Sequence, residues 1–397
     1  MALEQKEWDV VIIGGGIAAV SAANSLTQNS TGMSVLILNE EDRQPYRRTK
    51  ISKFMARGFS KNELEIQPQS WYRSENITVE PSRVVEIDPV AHTLFLEDGP
   101  SLSWKTCILA TGAEPKLPGL DPDLLLNPRV HTIRRARDAE MLRSAVLSEA
   151  SASVLVVGLG VLGVEVAEQL RLLGAEVIAV EAGPGPMWRE LKEQASIVLS
   201  ELFERLGIKM YVNEHISIDA RGQGLRVGLK KTELSPKMIV FCTGTEPRKE
   251  LAVRSGLKTD HGIVVDQFLR TSHPDIYAAG DTAQHPGGEL THLWHAAELQ
   301  GSLAGSNAAG STLIHENPPF RLKCEVGGHY FFSIGKLDGA EQVHEQSRNG
   351  IYQYFAYHGQ RCVGAVMIDD KPRADHYIEA VLRNWRRRRV ERALALQ

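Results

Sequence analysis

The order of apolar and polar residues near the start of the chain predicts a strand, a helix and a second strand. Residues 10–13 are all apolar, which is typical of a short buried strand, and an apolar helical pattern continues to about Leu26. A second apolar strand covers residues 35–38. Between the first strand and the helix stands a glycine-rich turn, Gly14-x-Gly16-x-x-Ala19. This order of elements around such a turn predicts a dinucleotide-binding unit.

Each small residue of this turn has a structural role in a dinucleotide-binding unit. Gly14 allows the tight turn, and Gly16 lets the backbone approach a pyrophosphate. Ala19, an accepted replacement for the third glycine, keeps the helix close to the sheet. The pyrophosphate would rest on the helix N-terminus, where free amides and the helix dipole favour an anion. The alternative is a plain tight turn without a ligand.

The same pattern recurs 144 residues later, which predicts a second nucleotide site. An apolar strand at 154–157 leads into Gly158-x-Gly160-x-x-Gly163, a helix, and a further strand that ends before Glu181. Glu181 stands 18 positions after Gly163, where an acid accepts hydrogen bonds from both hydroxyls of an adenosine ribose and repels a 2′-phosphate. The second site is therefore predicted to take NAD rather than NADP. The alternative for Glu181 is a solvated acid at a strand end.

Two similar sequence segments, one after each βαβ unit, indicate the domain organisation. Residues 107–115 and 239–247 each carry an apolar strand into a Thr-Gly turn and a proline. We therefore expect two similarly built domains, with chain crossings near 115–120 and at 247. The stretch 263–281 would return to the first domain. From about residue 318 onward, aromatic strand-like runs and a terminal helix predict a small α+β domain.

Composition and charge place the chain among ordinary soluble globular proteins. Hydrophobic residues make up 43% and charged residues 24%. The 45 basic and 49 acidic residues give a net charge of −4, too small to indicate nucleic acid or a membrane surface as the main partner. No apolar run reaches the roughly 18 residues of a membrane span, and residues 1–9 lack an apolar signal-peptide region. We expect a cytoplasmic protein.

Cysteine and histidine spacing gives no sign of a metal site. The four cysteines, Cys107, Cys242, Cys324 and Cys362, lie far apart in the sequence, with no Cys-x-x-Cys pair. Such spacing favours neither a redox pair nor a secreted disulfide framework. The histidines likewise show no metal-ligand spacing, so we predict no metal.

Three further motifs carry a resemblance to a known family. Residues 45–53, Pro-Tyr-Arg-Arg-Thr-Lys-Ile-Ser-Lys, resemble the Pro-Tyr-x-Arg-Pro-Pro-Leu-Ser-Lys segment of ferredoxin and rubredoxin reductases, with Thr49 and Lys50 in place of the two prolines. Residues 271–281 resemble the second flavin motif of these enzymes, and residues 293–301 resemble the helix that aims its N-terminus at the flavin pyrimidine. The whole chain resembles the two-dinucleotide flavoprotein reductases of the pyridine-nucleotide-disulfide oxidoreductase superfamily.

The finer resemblance is to NADH:rubredoxin reductases and to the flavin domain of NADH-dependent nitrite reductases. Residues 321–335 and 363–368 are similar to their short C-terminal domain. No later segment of the sequence could hold a sirohaem or an iron–sulfur cluster, so we do not expect a complete nitrite reductase.

This resemblance implies an α/β fold with two Rossmann-like, glutathione-reductase-like domains and a small C-terminal α+β domain. The expected FAD-binding domain is discontinuous, and the three domains are 1–118 with 249–317 (FAD), 119–248 (NAD) and 318–397 (C-terminal).

The resemblance also implies the cofactors FAD and NADH and assigns residues to each. The FAD set is Gly14, Gly16, Ala19, Glu40, Arg48, Lys53, Thr111, Asp281 and Trp294; the NAD set is Gly158, Gly160, Gly163, Glu181 and Gly244. Asp281 is expected to bind the ribityl chain. Alignment backward from Tyr46 favours Glu40 as the acid on the FAD ribose, with its neighbours Asn39 and Glu41 left open.

The implied chemistry is hydride transfer from NADH to the flavin, which then releases electrons one or two at a time. Lys53 would lie beside the flavin N5, and Glu165 resembles the acid that pairs with it, so both are candidate catalytic residues. The alternative is that they are unrelated surface charges. Disulfide reductases of this superfamily carry cysteines on the helix facing the flavin, and none occurs between Gly14 and Trp71. Electrons are therefore expected to leave directly from the flavin.

The implied partner is a small acidic electron carrier, a rubredoxin or a ferredoxin-like protein. Residues 383–392 contain six arginines, and such a patch would steer an acidic carrier. A solvated terminal helix is the alternative. Two other functions stay open: an NADH oxidase or small-molecule reductase of the same fold, and a slow-turnover protein that senses redox state through bound FAD and NADH. No nucleic-acid or membrane partner is expected, and the oligomeric state is open.

Overall fold

The computed structural model describes residues 7–29, 32–117, 119, 121–219 and 224–395. Contacts divide the chain into two compact units. The first unit comprises residues 1–51, 59–114 and 245–318, and the second comprises 52–58, 115–244 and 319–397. Residues 1–6, part of the segment inspected for a signal peptide, and residue 118, a predicted domain limit, lie outside the described residues. The division into three domains stays a prediction.

The strands and helices have the following bounds. The strands are β1 (Trp8–Ile13), β2 (Val35–Asn39), β3 (Ile77–Pro81), β4 (Val84–Asp88), β5 (Thr93–Leu96), β6 (Ser101–Leu109), β7 (Ala113–Pro115), β8 (Val130–Thr132), β9 (Ser153–Val157), β10 (Glu176–Val180), β11 (Lys209–Tyr211), β12 (Ser217–Asp219), β13 (Arg226–Gly228), β14 (Glu233–Leu234), β15 (Met238–Phe241), β16 (Thr245–Pro247), β17 (Ile263–Val264), β18 (Ile276–Ala278), β19 (Ala283–Gln284), β20 (Arg321–Val326), β21 (His329–Gly335), β22 (Gln342–Arg348), β23 (Ile351–His358) and β24 (Arg361–Ile368). The α-helices are α1 (Ile17–Asn29), α2 (Lys61–Leu64), α3 (Gln69–Ser74), α4 (Ala136–Ser148), α5 (Val161–Leu172), α6 (Trp188–Arg205), α7 (Glu250–Arg254), α8 (Trp294–Ala308), α9 (Ala374–Leu382) and α10 (Arg387–Leu394).

The first unit is built on a parallel sheet. Strands β3, β2, β1 and β6 lie side by side in that order, and β18 pairs with β6 on its other edge. The predicted strands at 10–13 and 35–38 are confirmed, although β1 begins two residues earlier, at Trp8. The early start includes Asp9, whose carboxylate accepts a hydrogen bond from the Ser34 hydroxyl and pairs with Lys105. These contacts let a charged residue enter the strand.

The second unit repeats this arrangement. Its parallel sheet has the order β11, β10, β9, β15, β8, and the side chains of β9 and β15 form much of the core. Strands β12, β13 and β14 form a small antiparallel sheet. The predicted second βαβ order is confirmed by β9, α5 and β10.

The last part of the second unit is an antiparallel sheet of order β20, β21, β24, β23, β22, with helices α9 and α10. Its aromatic side chains form one core that includes Phe332, Tyr357, Tyr377 and Trp385. The aromatic runs seen in the sequence therefore are strands, as predicted. No described helix in the chain is long and apolar enough to cross a membrane.

Candidate functional site

The glycine-rich turn of the first unit has the geometry of a phosphate cradle. Gly14 has φ +132°, and a Cβ there would lie 2.1 Å from the carbonyl oxygen of Ala110, so only glycine fits. A Cβ on Gly16 would meet nothing within 4 Å, so the space beside it is open. The first turn of α1 carries no acidic residue that would repel an anion. The turn therefore has room for the pyrophosphate of a dinucleotide.

Small residues let α8 and the segment after β18 pack closely against α1, the helix that follows this turn. Ala19 is fully buried in α1. Cβ atoms on Gly301 and Gly305 of α8 would lie 2.2 and 2.3 Å from carbonyl oxygens of α1, so the two helices pack backbone to backbone. Gly280, with φ +81°, follows β18, and its Cβ position lies 3.1 Å from the Ala18 side chain. Asp281 therefore lies next to the first turn of α1, where the sequence predicted one split FAD site.

The acids that follow β2 are both held by arginines. Glu40 accepts hydrogen bonds from both terminal nitrogens of Arg248, at 2.5 and 2.9 Å. Glu41 pairs with Arg48 at 2.6 Å and accepts a hydrogen bond from the Tyr46 hydroxyl at 2.7 Å. Glu40 thus directly follows the strand, as its predicted ribose role requires, but sequence reasoning did not find Arg248.

The backbone of Arg248 also binds two threonine side chains near the predicted FAD site. Its carbonyl oxygen accepts hydrogen bonds from the Thr111 and Thr282 hydroxyls, at 2.9 and 2.8 Å. Trp294 begins α8 and packs half-buried against the core of the first unit. Of the predicted FAD residues, Lys53 belongs to the second unit and the others to the first.

The second unit carries a matching turn. Gly158 has φ +91°, and a Cβ there would lie 2.6 Å from the carbonyl oxygen of Cys242. A Cβ on Gly163 would lie 1.9 Å from the carbonyl oxygen of Gly158, whereas one on Gly160 would meet nothing within 4 Å. The turn thus has two glycines fixed by packing and one that faces open space, as the predicted NAD site requires.

Glu181 lies at the end of β10 with its carboxylate oriented by the backbone. One oxygen accepts the Leu159 N–H and the other accepts the Gly183 N–H, each at 2.7 Å. A carboxylate has about four acceptor positions, so two are left for ribose hydroxyls. Burial raises the pKa of the nearby Glu190 carboxyl, and the negative charge of Glu181 adds to this rise. The fifth predicted NAD residue, Gly244, has φ +95° and accepts the Lys116 N–H at 2.9 Å.

Lys53 and Glu165 are in contact within the second unit. Lys53 Nζ lies 3.5 Å from Glu165 Oε1, and the Glu165 side chain is 7% exposed. The Ser52 hydroxyl donates to the other carboxylate oxygen at 2.5 Å. Burial raises the pKa of Glu165, and the positive charge of Lys53 opposes this rise. Sequence reasoning predicted the pair but missed Ser52.

The segment that carries Lys53 is attached to α5 at a second point. The Ala56 N–H donates to the side-chain oxygen of Gln169 at 3.0 Å. Because Glu165 and Gln169 are four residues apart, they lie on the same face of α5. This face therefore positions Lys53.

All four cysteines are buried and unpaired. Burial raises the pKa of every one of these thiols, to about 12 for Cys242 and Cys362. At neutral pH they are neutral thiols, which are poor nucleophiles.

Comparison with known proteins decides the family. The pyridine nucleotide-disulphide oxidoreductase family matches residues 8–301. The chain belongs to this family. The predicted resemblance, the α/β fold class and the class of enzyme, an oxidoreductase of a family that uses FAD and NADH, are thereby confirmed.

Individual relatives agree with this assignment. The chain is 29% identical to a rhodocoxin reductase from Rhodococcus erythropolis, over 92% of this chain and 87% of that protein. It is also 29% identical to a rubredoxin-NAD(+) reductase from Pseudomonas putida, over 84% of this chain and 88% of that protein. A nitrite reductase [NAD(P)H] from Bacillus subtilis is 27% identical over 91% of this chain, which covers 45% of that longer protein. The crystal structure of a ferredoxin reductase for the CYP199A2 system of Rhodopseudomonas palustris superposes with a TM-score of 0.84 and 27% identity, covering 94% of this chain and 93% of that one.

Proposed function

We propose that this protein is an FAD-dependent oxidoreductase that takes hydride from NADH and passes electrons to a small redox carrier protein. The observation that carries the proposal is the pair of glycine turns, each with one glycine facing open space at the end of a parallel sheet: Gly16 in the first unit and Gly160 in the second. Two such turns in one chain fit two dinucleotides. Two relatives are named rhodocoxin reductase and rubredoxin-NAD(+) reductase, and these names support a small redox protein as the electron acceptor.

Residues of the first unit would hold FAD. Backbone amides at Gly16 and the start of α1 would bind the pyrophosphate, Glu40 the ribose, and Asp281 the ribityl chain. Bound FAD supplies the chemistry that accepts a hydride as two electrons and releases electrons singly. Residues around FAD would bind and orient it, and the Lys53–Glu165 pair would tune the flavin potential. Because the four thiols are buried and unpaired, electrons would not pass through a disulfide.

Residues of the second unit would hold NADH. Gly158 and Gly160 would let the backbone approach the pyrophosphate, and Glu181 would accept hydrogen bonds from both ribose hydroxyls. Its carboxylate is already oriented by the Leu159 and Gly183 amides, so little entropy is lost on binding. A 2′-phosphate at this place would face Glu181 and, nearby, Glu190. This favours NADH as the reductant.

The arginine-rich C-terminal segment supports an acidic carrier. Helix α10 buries Val390 and Leu394 in the aromatic core, so its other face is exposed. Arg388 and Arg392 lie on that exposed side. Reversing both charges, Arg388→Glu with Arg392→Glu, is expected to raise the KM for an acidic carrier and to weaken its salt dependence. Arg226→Glu, at an exposed strand position of the same unit, is the control.

The test of the proposed function is a two-step anaerobic stopped-flow experiment. The purified protein is first mixed with NADH while flavin absorbance is followed, and the reduced enzyme is then mixed with rubredoxin, a [2Fe–2S] ferredoxin or dissolved oxygen. Fast reduction followed by fast carrier oxidation and slow oxygen reaction supports the proposal. Rapid aerobic turnover points instead to an NADH oxidase, and slow reduction with a persistent charge-transfer complex to a sensor. Protein that cannot bind FAD overturns all three.

A further inference from the structure

We propose that His92, His273 and Asp275 form a binding site for a divalent transition-metal ion, zinc in the first instance, on the surface of the first unit. The three residues come from two distant parts of the sequence. His92 immediately precedes β5, and His273 and Asp275 immediately precede β18. Each offers one ligand atom, and these atoms all lie within 4.8 Å of one another.

The distances are close to those around a bound zinc ion. Zinc bonds to nitrogen and oxygen are about 2.0–2.2 Å long, so two ligands of a tetrahedral site lie roughly 3.3–3.6 Å apart. The Nε2 atom of His92 is 3.5 Å from Asp275 Oδ2. The distance between these two atoms therefore already matches the spacing of two zinc ligands. The remaining ligand distances are at most 4.8 Å, so closing the site shortens them by at most about 1.5 Å.

The surrounding structure holds two of the ligands in position. The His92 ring stacks on the buried Trp104 ring, with centroids 4.5 Å apart and planes 4° from parallel. The carbonyl oxygen of Asp275 accepts the Cys107 N–H of β6 at 3.0 Å. Because His92 and Asp275 are already held by these contacts, the site loses little conformational entropy when it binds an ion.

The His273 ring lies edge-on to the His92 ring, with centroids 5.9 Å apart, and it makes a hydrogen bond that can be exchanged for a metal. The His273 backbone N–H donates to the Thr271 hydroxyl at 3.1 Å. Its Nδ1 accepts the Asp275 N–H across 3.3 Å, a long hydrogen bond. Binding through Nδ1 would replace this contact, and binding through Nε2 would move the ring proton to Nδ1 and break it. Either route gives up one weak hydrogen bond.

The donor set selects the class of ion. Two imidazoles and one carboxylate suit zinc and neighbouring transition metals, whereas magnesium and calcium prefer all-oxygen sites. The residues are half-buried, so a water molecule can complete the fourth position. The ion would join the β4–β5 hairpin to the start of β18, the strand that leads to Asp281. It would therefore stiffen the part of the first unit that carries the predicted flavin residue.

The spacing of histidines and cysteines in the sequence predicted no metal site. His92 and His273 are 181 positions apart, so no local spacing motif brings them together. The inference does not depend on the proposed function, because zinc binding can be measured whatever the enzyme reduces.

The test is zinc binding to the tag-free, full-length protein. Isothermal titration with zinc chloride is compared between the wild type and the variants His92→Ala, His273→Ala and Asp275→Asn, and metal content after dialysis is measured by mass spectrometry. We expect one zinc ion per chain in the wild type and at least tenfold weaker binding in each variant. Zinc, but not magnesium, should raise the melting temperature of the wild type alone.

The matched control is His358→Ala. His358 is a histidine 3.1 Å from a carboxylate, Glu341, but no third ligand stands beside this pair among the described residues, so its loss should leave zinc binding unchanged. Melting in EDTA shows whether a variant is destabilised without metal, and the comparison then uses the difference between zinc and EDTA. Absence of stoichiometric zinc in the wild type, or equal zinc affinity in the three variants, overturns the proposal.

Discussion

Glu40 and Arg248 form a bidentate ion pair within the first unit, although they are 208 positions apart in the sequence. The two side chains are 23% and 26% exposed, so the pair is shielded from much of the solvent. Because a guanidinium binds a carboxylate through two parallel hydrogen bonds, it fixes the orientation of Glu40 as well as its charge. Arg248 is thus a positioning residue for the acid assigned to the FAD ribose.

Removing Arg248 should reduce both stability and FAD affinity. In Arg248→Met the Glu40 carboxylate keeps its charge but loses the two hydrogen bonds from the guanidinium, and we expect the free energy of unfolding to fall by about 1–3 kcal/mol. FAD affinity should fall because the acid is no longer oriented. Urea unfolding and flavin fluorescence titration measure the two effects. Arg83→Met is the control, because its pair with Glu97 is half-exposed and should contribute less than about 1 kcal/mol. Equal effects of the two substitutions would contradict the assignment.

The open glycines allow the two nucleotide sites to be separated. A Cβ at Gly16 or at Gly160 meets no atom of the described residues within 4 Å beyond its chain neighbours, and neither residue has positive φ, so Gly16→Ala and Gly160→Ala should fold normally. We expect Gly16→Ala to lose FAD and Gly160→Ala to keep FAD but bind NADH more weakly, because the added methyl group occupies the space of a pyrophosphate. Flavin content and NADH titration distinguish the two. If Gly160→Ala loses flavin or Gly16→Ala retains it fully, the assignment of the turns is wrong.

The sequence predicted the parts of these sites that depend on local backbone geometry. Gly14 and Gly158 were recognisable because a tight turn between a strand and a helix requires glycine, and both have positive φ in the structure. Arg248 and Ser52 were missed because their partners are 208 and 113 positions away, and no local pattern encodes a side-chain pair at that separation. The contact between Lys53 and Glu165 was anticipated only through the family resemblance.

Glu181 should make the enzyme prefer NADH. A 2′-phosphate would meet the charge of Glu181, and a carboxylate that binds hydroxyls would lose its partners, which together cost one to a few kcal/mol, or roughly tenfold to a hundredfold in kcat/KM. Steady-state kinetics with NADH and NADPH test this. Glu181→Arg should shift the preference toward NADPH. Equal kcat/KM for the two nucleotides in the wild type would refute the assignment.

A buried histidine should make the first unit sensitive to acid. His285 is 3% exposed and its ring centroid lies 4.5 Å from that of His315. Burial, with a further contribution from His315, lowers the pKa of His285 from 6.5 to about 4. The unfolded chain therefore binds this proton at a higher pH than the folded chain. The stability that neutral His285 contributes is complete above about pH 6.5 and is lost as the pH falls toward 4, a change on the order of 3 kcal/mol.

Urea unfolding between pH 7 and pH 4 measures this loss. His285→Leu, which cannot titrate, should flatten the pH dependence of the free energy of unfolding. His261→Leu is the control, because it removes an exposed imidazole from the same unit. A slope that is the same in His285→Leu and the wild type would show that another group controls acid stability.

Lys53 should raise the flavin midpoint potential and speed flavin reduction by NADH. Glu165 is buried, and its carboxylate is compensated by Lys53 at 3.5 Å and by the Ser52 hydroxyl. Lys53→Met removes a positive charge from the site assigned to the flavin, so we expect a lower flavin midpoint potential and slower reduction by NADH, with NAD affinity little changed. Lys237→Met is the control, since its pair with Glu149 is exposed in the same unit.

Glu165→Gln should affect the same step and should also change its pH dependence. Burial raises the pKa of Glu165, so the wild-type carboxyl loses its proton above its ordinary value of 4.5, and the folded protein gives up some stability as the pH rises through that range. The neutral glutamine removes this ionisation from both the stability profile and the rate profile. Stopped-flow reduction over a pH series, with the midpoint potential of each variant, measures the effect. If Lys53→Met and Glu165→Gln reduce at the wild-type rate and potential at every pH, the pair has no role in flavin reduction and only joins the 52–58 segment to α5.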